Sequence, residues 1–374
     1  MRIVFFANHF FPSIGGVQWS VLRTAEALAL RGHDVTLITE TPADDSWQDD
    51  RLPFQIIRFR VPLLRPFTRL GYWHWMWRQR ALLRSADVLH FHDYTTFFHW
   101  FLPLRMLIRS PRYAVTFHGF EHWPIRFRHR IFRAITAACC DVRFAVGEYV
   151  RQMYRHPVDA VYLGAPVRCF QQTPSAHEPI FAYAGRLSED TGIFPLLKRL
   201  SLAAKEVDRP VRVRVAGDGP LNEAIAGLGN SHLQIEFLGV ASNPQLALAS
   251  ARWVIATGFL GMFEAFTSGI PVITPAFNEL KERYVASIPN AQSLLSILDD
   301  TEASHAFFTD LLHGKLEEEL QQKSRRAALF VSELTWDDIA ILLESWYDSK
   351  SPTADRPGTQ MEIVEARRRI NYAL

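Results

Sequence analysis

Cysteine is scarce: three residues in 374, two adjacent (Cys139, Cys140) and one remote (Cys169). An odd set of this kind builds no disulfide framework, and no Cys-x-x-Cys spacing offers a metal or redox centre, which fits a reduced cytosolic protein. No apolar run reaches the ~18–20 residues of a membrane span. The first residues, Met1 to Phe6, enter a strand directly, without the basic and apolar regions of a secretory signal. Lysine is absent from residues 1–170, whose 22 basic residues are all Arg against 13 Asp and Glu; residues 171–374 carry 19 basic and 26 acidic residues. The formal net charge of +2 therefore hides two halves of opposite sign, which suggests two lobes with different partners. A chain of this length with 48% hydrophobic residues supports two cores.

What is present is an alternating strand–helix pattern. Arg2–Ala7 is apolar enough for a strand, Val21, Leu22, Ala25, Leu28 and Ala29 recur at helical spacing over 17–31, and 35–39 forms a second strand. Such βαβ units give parallel sheets. Further strands are expected at 88–91, 114–117, 143–146 and 160–163. A linker at 168–179 follows, and the pattern restarts with a strand at 180–184, a helix at 194–207, strands at 211–216 and 234–238, and helices at 221–228 and 244–250. The expectation is an α/β chain of two Rossmann-like lobes, 1–168 and 169–348. A tail, 349–374, ends in a helix expected to pack back on the first lobe. Open sheets of this type bind ligands at the carboxyl ends of their strands.

One stretch organises the second lobe. Trp253–Ala256 is a short buried strand, 257–261 a loop with Gly258 and Gly261, 262–268 a helix closed by Gly269 and Pro271, and Val272–Thr274 the next strand. A glycine loop that feeds a helix N-terminus presents backbone N–H groups and the positive dipole end, a seat for phosphate. Glu264 is the one charge in the stretch. It either contacts a ligand or favours the first helical turn.

Other candidates carry two readings each. Gly15 and Gly16 lie between the first strand and helix, where they let a ligand approach or simply make a βα turn; the Gly-x-Gly-x-x-Gly pattern is missing, which argues against a nicotinamide cofactor. His118 follows a strand, where it serves as acid, base or donor, or as an ordinary loop histidine. His90, His92, Asp93, His118, Glu121 and His122 form a loose constellation, but no His-Glu-x-x-His helix points to metal. Arg186 has the donor fork to clamp a diphosphate. Gly217-Asp218-Gly219-Pro220 is a tight turn after a strand. Between Arg51 and Arg133 the chain is dense in Arg and aromatics, suited to anionic lipid, to nucleic acid, or to a solvated basic face.

In this order, the loop Ser13–Val17, Arg31–Val35, Asp87–Asp93, Phe117-His118-Gly119, Gly185-Arg186-Leu187, Gly217–Pro220 and Phe263–Val272 resemble glycosyltransferase family 4, over Met1 to about Tyr347. The resemblance implies the B-type fold, with two Rossmann-like lobes facing across a cleft, and transfer of a sugar from a nucleotide-diphosphate donor with retention of configuration. It implies that Gly15 and Gly16 approach donor phosphate and acceptor, that His118 lies beside the transferring sugar, that Arg186 contacts the diphosphate and Glu264 the ribose, and that neither metal nor further cofactor is required. Two positions depart from the family: Thr191 stands where a Lys is usual, and Ala256 where an earlier glutamate touches the donor sugar. A leaving diphosphate still calls for a second cation. Lys281 is the preferred candidate over Arg283, against the alternative that both are solvated. The expected donor-binding set is Gly15, Gly16, Arg186, Thr191, Gly217, Gly261, Glu264 and Lys281, with His118 in the chemical step.

The expected partners are the nucleotide sugar, a lipid-linked or polysaccharide acceptor of the cell envelope, and an anionic membrane surface, with no nucleic acid. The expected location is cytoplasmic, peripheral on the inner membrane face. A non-catalytic lobe pair that binds nucleotide sugar, or a sugar-nucleotide epimerase of the same fold, are the competing readings.

Overall fold

The computed structural model describes residues 1–13, 15–41, 49–60, 68–119, 123–167, 179–239, 248, 251–348 and 355–373, with side chains to 369. It divides into two compact units: Met1–Gly164 together with Thr335–Leu374, and Ala165–Leu334.

The first unit holds a seven-stranded sheet of β1 (Arg2–Ala7), β2 (Asp34–Thr39), β3 (Gln55–Arg58), β4 (Val88–His92), β5 (Arg112–Phe117), β6 (Val142–Val146) and β7 (Ala160–Tyr162), in the order β3-β2-β1-β4-β5-β6-β7. All of its pairings are parallel. The second holds a six-stranded parallel sheet of β8 (Ile180–Ala184), β9 (Val211–Ala216), β10 (Leu233–Gly239), β11 (Trp253–Ile255), β12 (Val272–Pro275) and β13 (Ser296–Leu298), in the order β10-β9-β8-β11-β12-β13. Central strands such as β1 and β4 are buried almost throughout, which explains their unbroken apolar runs. The order reverses between β1 and β4 and again between β8 and β11. The loops leaving those strands part at each reversal and open a crevice.

Two strands had no clear sequence signal, β3 and β13. Both are sheet edges, and both are short, four and three residues. An edge strand packs against one neighbour only, so it needs no long apolar run. The helix expected at 244–250 lies outside the described residues apart from 248, and the proposed linker outside them apart from 179.

The unit boundary differs from the one expected. The helix Trp336–Tyr347, placed in the second lobe by the sequence pattern, packs on the first. It opens with a capping box between Thr335 and Asp338. Its buried face, Ile339, Leu342, Leu343 and Trp346, joins the core formed by Phe5, Val21, Leu28 and Leu37. Arg31 grips Glu344 with both Nε (2.7 Å) and Nη2 (2.9 Å) and reaches Asp337 at 2.9 Å. The last helix, Gln360–Ala373, starts where the Gln360 amide accepts from the backbone N–H of Leu163 (3.0 Å) and donates to the Gly164 carbonyl (3.0 Å).

Candidate functional site

In the second unit the candidate residues collect at the carboxyl edge of the sheet. β8 runs into Gly185-Arg186, β11 into Thr257-Gly258, and β12 into the turn before Asn278. Gly258 caps the helix Phe259–Thr267 without a side chain. That helix starts earlier than its sequence suggests, so Gly261 sits in its first turn instead of in a loop. A Cβ added there would meet nothing nearer than the Ala256 side chain at 3.9 Å. The Phe259 N–H donates to the Tyr284 hydroxyl at 2.8 Å, and the two rings stack. Glu264 is buried in the second helical turn, and the first turn has no acidic residue. A dipole effect fades beyond the first turn, so pairing with the helix end does not account for this glutamate.

Lys281 is the second element of this edge. It lies on the helix Glu279–Ala286, whose cap residue Asn278 accepts the Lys281 backbone N–H at 2.9 Å. The side chain turns inward, only 7% exposed. Its ammonium donates to the Thr257 carbonyl at 3.2 Å and lies 5.2 Å from the centre of the Tyr284 ring. Burial lowers its pKa to about 8, with Asp190 opposing and Arg186 adding to the fall. Arg283 behaves differently: it is half exposed and pairs with Glu279 at 3.1 Å. Lys281, and not Arg283, is thus the inward cation.

Asp190 joins Lys281 to Arg186, a link the sequence did not signal. The Arg186 guanidinium bonds Asp190 at 2.7 Å, and the Ser188 hydroxyl bonds its other oxygen at 2.5 Å. Burial alone would raise the Asp190 carboxyl, but the Ser188 bond and the charges of Arg186 and Lys281 outweigh it and hold it below the usual range. Thr191 lies in the turn that follows Arg186. Its buried hydroxyl donates to the Ser188 carbonyl at 2.6 Å, so its proton is committed within its own turn. Gly217 has a packing reason to be glycine. A Cβ there would stand 1.9 Å from the Gly185 carbonyl oxygen, and one at Gly219 would stand 2.3 Å from that of Leu187. The two glycines let the turn after β9 pack against the turn that carries Arg186. Beside them a pocket of about 380 Å³ is lined by Gly217, Asp218, Asn222, Glu223, Phe237 and Gly239.

In the first unit Gly15 caps the helix Gly16–Leu30 in ordinary extended conformation (φ −176°). A Cβ on Gly16 would meet nothing within 4 Å. Glycine here leaves room at a helix N-terminus; the backbone does not demand it. His118 follows β5, with its Nε2 2.8 Å from Nδ1 of His92 at the end of β4. His90 sits two residues before His92 and stacks on it; it bonds the Tyr347 hydroxyl and, at 2.8 Å, the Thr116 hydroxyl. Arg133, counted from the sequence among surface arginines, is fully buried. It donates to the Gly119 carbonyl, lies 3.4 Å from Asp93 and faces the Tyr154 ring at 4.2 Å, so it braces the turn that holds His118. Its spacing with the buried Thr136 and Ala137 is the sequence signal for an inward face. Among the described residues no group of three or more His, Cys, Asp or Glu could hold a metal ion. Glu121 and His122 lie outside them.

Residues 14–163 match the family model described as Glycosyltransferase Family 4, which bears out the resemblance carried by the motifs. No curated protein matches the chain. Among solved structures, sucrose-phosphate synthase of Thermosynechococcus elongatus superposes with a TM-score of 0.70 at 17% identity, covering 92% of this chain and 98% of its own. Anabaena HepE in complex with UDP and glucose gives 0.71 at 14% identity, over 92% and 100%. WaaG, a glycosyltransferase involved in lipopolysaccharide biosynthesis, gives 0.66 at 14%, over 93% and 100%. At such identities these likenesses show the fold, the two-lobe α/β fold of B-type glycosyltransferases. Family match and fold together support a transferase.

The histidines make a prediction about pH. Burial pushes His90 and His118 down to about 3 and His92 well below its ordinary value; the Arg133 charge adds to the effect on His118. Each is neutral when folded, whereas the unfolded chain takes up a proton below about pH 6.5. Their contribution is therefore full above about pH 6.5 and declines as pH falls towards about 3, at about 1.4 kcal/mol per pH unit for each ring. Denaturant unfolding of the first unit at several pH values between 7 and 4.5 measures that slope. His92→Phe should flatten it by about one ring's share; an unchanged slope would mean that His92 is charged in the folded protein.

Proposed function

We propose that this chain is a retaining glycosyltransferase that moves a sugar from a nucleotide-diphosphate donor to a lipid or polysaccharide acceptor of the cell envelope. The observation that carries the reading is the buried Lys281 ammonium at the carboxyl edge of the second sheet, in one electrostatic group with Arg186 and Asp190. A sugar–diphosphate bond breaks with charge building on the leaving group, and fixed cations and dipoles in a dry site stabilise that charge most effectively. Arg186 supplies one cation from the end of β8, Lys281 a second from beyond β12, and the helix Phe259–Thr267 contributes its positive end. No metal ion enters this scheme. Glu264 takes the ribose hydroxyls, and the pocket beside Gly217 takes the base. UDP and glucose bound to HepE, and the part of WaaG in lipopolysaccharide biosynthesis, lend the donor and acceptor classes their support.

Ala256, where the family has a glutamate, favours the non-catalytic reading, in which the same residues bind nucleotide sugar without transfer. Release of nucleotide from any of a panel of nucleotide sugars, with or without acceptor, separates the two.

The acceptor class implies a membrane surface. No helix of the described residues is long and apolar enough to cross a membrane. The helix Phe127–Cys139 instead exposes Phe127 (76%), Ile131 (39%) and Ile135 (37%), spaced four apart along one face, and carries exposed Arg126, Arg128 and Arg130 at its start. Apolar side chains beside arginines suit the boundary of an anionic bilayer. The protein should float with anionic vesicles at low salt and leave them at high salt, because each basic residue contributes about 1 kcal/mol that ions screen. Phe127→Ser with Ile131→Ser should weaken flotation; equal binding to neutral vesicles would count against this surface.

For the donor site, Lys281→Ala should weaken nucleoside-diphosphate binding about tenfold or more, the worth of a lost charged hydrogen bond. Adding Thr191→Lys restores a cation at the family's usual position and should recover part of the loss. Normal donor affinity and turnover in Lys281→Ala would remove the proposed role.

A further inference from the structure

His92 Nδ1 and His118 Nε2 are hydrogen-bond partners at 2.8 Å. A neutral imidazole has one N–H and one lone pair, so between two neutral rings a single proton is shared, and one ring donates while the other accepts. Burial keeps both rings neutral. Which ring donates is decided on the far side of His92. Its Nε2 is buried and has no hydrogen-bond partner. Phe5 packs edge-on against the ring at 4.7 Å between centres, and His90 stacks on it at 4.7 Å.

Were His118 the donor, His92 Nδ1 would be the acceptor and the His92 proton would have to sit on Nε2. That would leave an N–H buried with no acceptor, the rarer and more costly defect in folded proteins. With His92 as donor, the unpartnered nitrogen carries only a lone pair. The neighbours of His92 thus settle the direction of the bond.

We infer that His92 is a positioning residue: it donates Nδ1–H to Nε2 of His118 and so holds His118 in the tautomer with its proton on Nδ1. The tautomer of one nitrogen follows from the bond made by the other. The His118 ring then has no lone pair to accept a proton, since Nε2 is engaged and Nδ1 is protonated. No described residue hydrogen-bonds its Nδ1, which leaves that N–H for a ligand oxygen. Resting on the glycosyltransferase reading, this makes His118 a neutral hydrogen-bond donor to the transferring sugar or its acceptor and excludes it as general base. Arg133, held beside the same turn, acts in the same direction by disfavouring an imidazolium.

The test reads the tautomers directly, on the full chain labelled with ¹⁵N-histidine and free of ligand. Long-range ¹H–¹⁵N spectra, assigned with single histidine variants, should show His92 and His118 both protonated at Nδ1, the less common form of free imidazole. A His118 protonated at Nε2 would overturn the inference. His92→Asn places an amide near the Nδ1 position and should leave His118 unchanged. His92→Phe fills the ring volume without a donor and should shift His118 to Nε2–H or to a mixture. A His118 that keeps Nδ1–H in His92→Phe would show that His92 does not set the tautomer. Should that variant not fold, the spectrum of the unsubstituted protein still decides the direction of the bond. Because these spectra need no nucleotide sugar, failure here leaves glycosyl transfer standing, and absence of transfer leaves the tautomer standing.

Discussion

Parallel pairing of every strand in both sheets is the constraint on which the rest depends. A parallel strand cannot return by a hairpin; it needs a crossover, and each crossover leaves from the carboxyl edge. All loops that follow a strand therefore emerge on one side of each sheet, and the reversal of strand order parts them. Gly15 after β1, His92 at the end of β4 and His118 after β5 share one such edge. Arg186 after β8, Thr257 after β11 and Lys281 beyond β12 share the other. Residues far apart in sequence become neighbours because the backbone hydrogen bonds leave them no other place.

The same geometry lets loops from different crossovers bring charges to one edge. Thr191 occupies the place where the family has a lysine, and its hydroxyl is spent on its own turn. Lys281 belongs to a different crossover, yet its ammonium meets the Thr257 carbonyl and the field of Asp190. Charge at one point of such an edge can be supplied from more than one loop. Asp190 fits the same view: it fixes Arg186 and lends Lys281 part of the negative field that keeps a buried ammonium charged.

The fold was legible in the sequence where the physics is local. Central strands announce themselves by apolar runs, and the helices between them by spacing. The edge strand Gln55–Arg58 escaped because it buries too little to leave a pattern, and Ser296–Leu298 because three residues are too few to show one. The return of Trp336–Tyr347 to the first unit was not legible, since an amphipathic helix does not say which core it joins. In the site, Arg186, Glu264 and Lys281 stood out as charges in strand-end stretches. Gly217 stood out as a strand-end glycine, but its close packing on the Gly185 carbonyl could not be read from the sequence. The buried Arg133 was hidden among surface arginines, and the direction of the His92–His118 bond depends on a nitrogen whose surroundings only a three-dimensional structure reveals.

The central claim is that Lys281 meets the diphosphate of the donor. A lysine held at about 8 is partly neutral near that pH, and an anion brought against it raises its pKa and draws in a proton. Calorimetric titration at pH 8 with the tightest-binding nucleoside diphosphate, in two buffers of different ionisation enthalpy, counts that proton. The account predicts net uptake of up to about half a proton per nucleotide, lost in Lys281→Ala. Binding without proton uptake, or with the same uptake in Lys281→Ala, would contradict it.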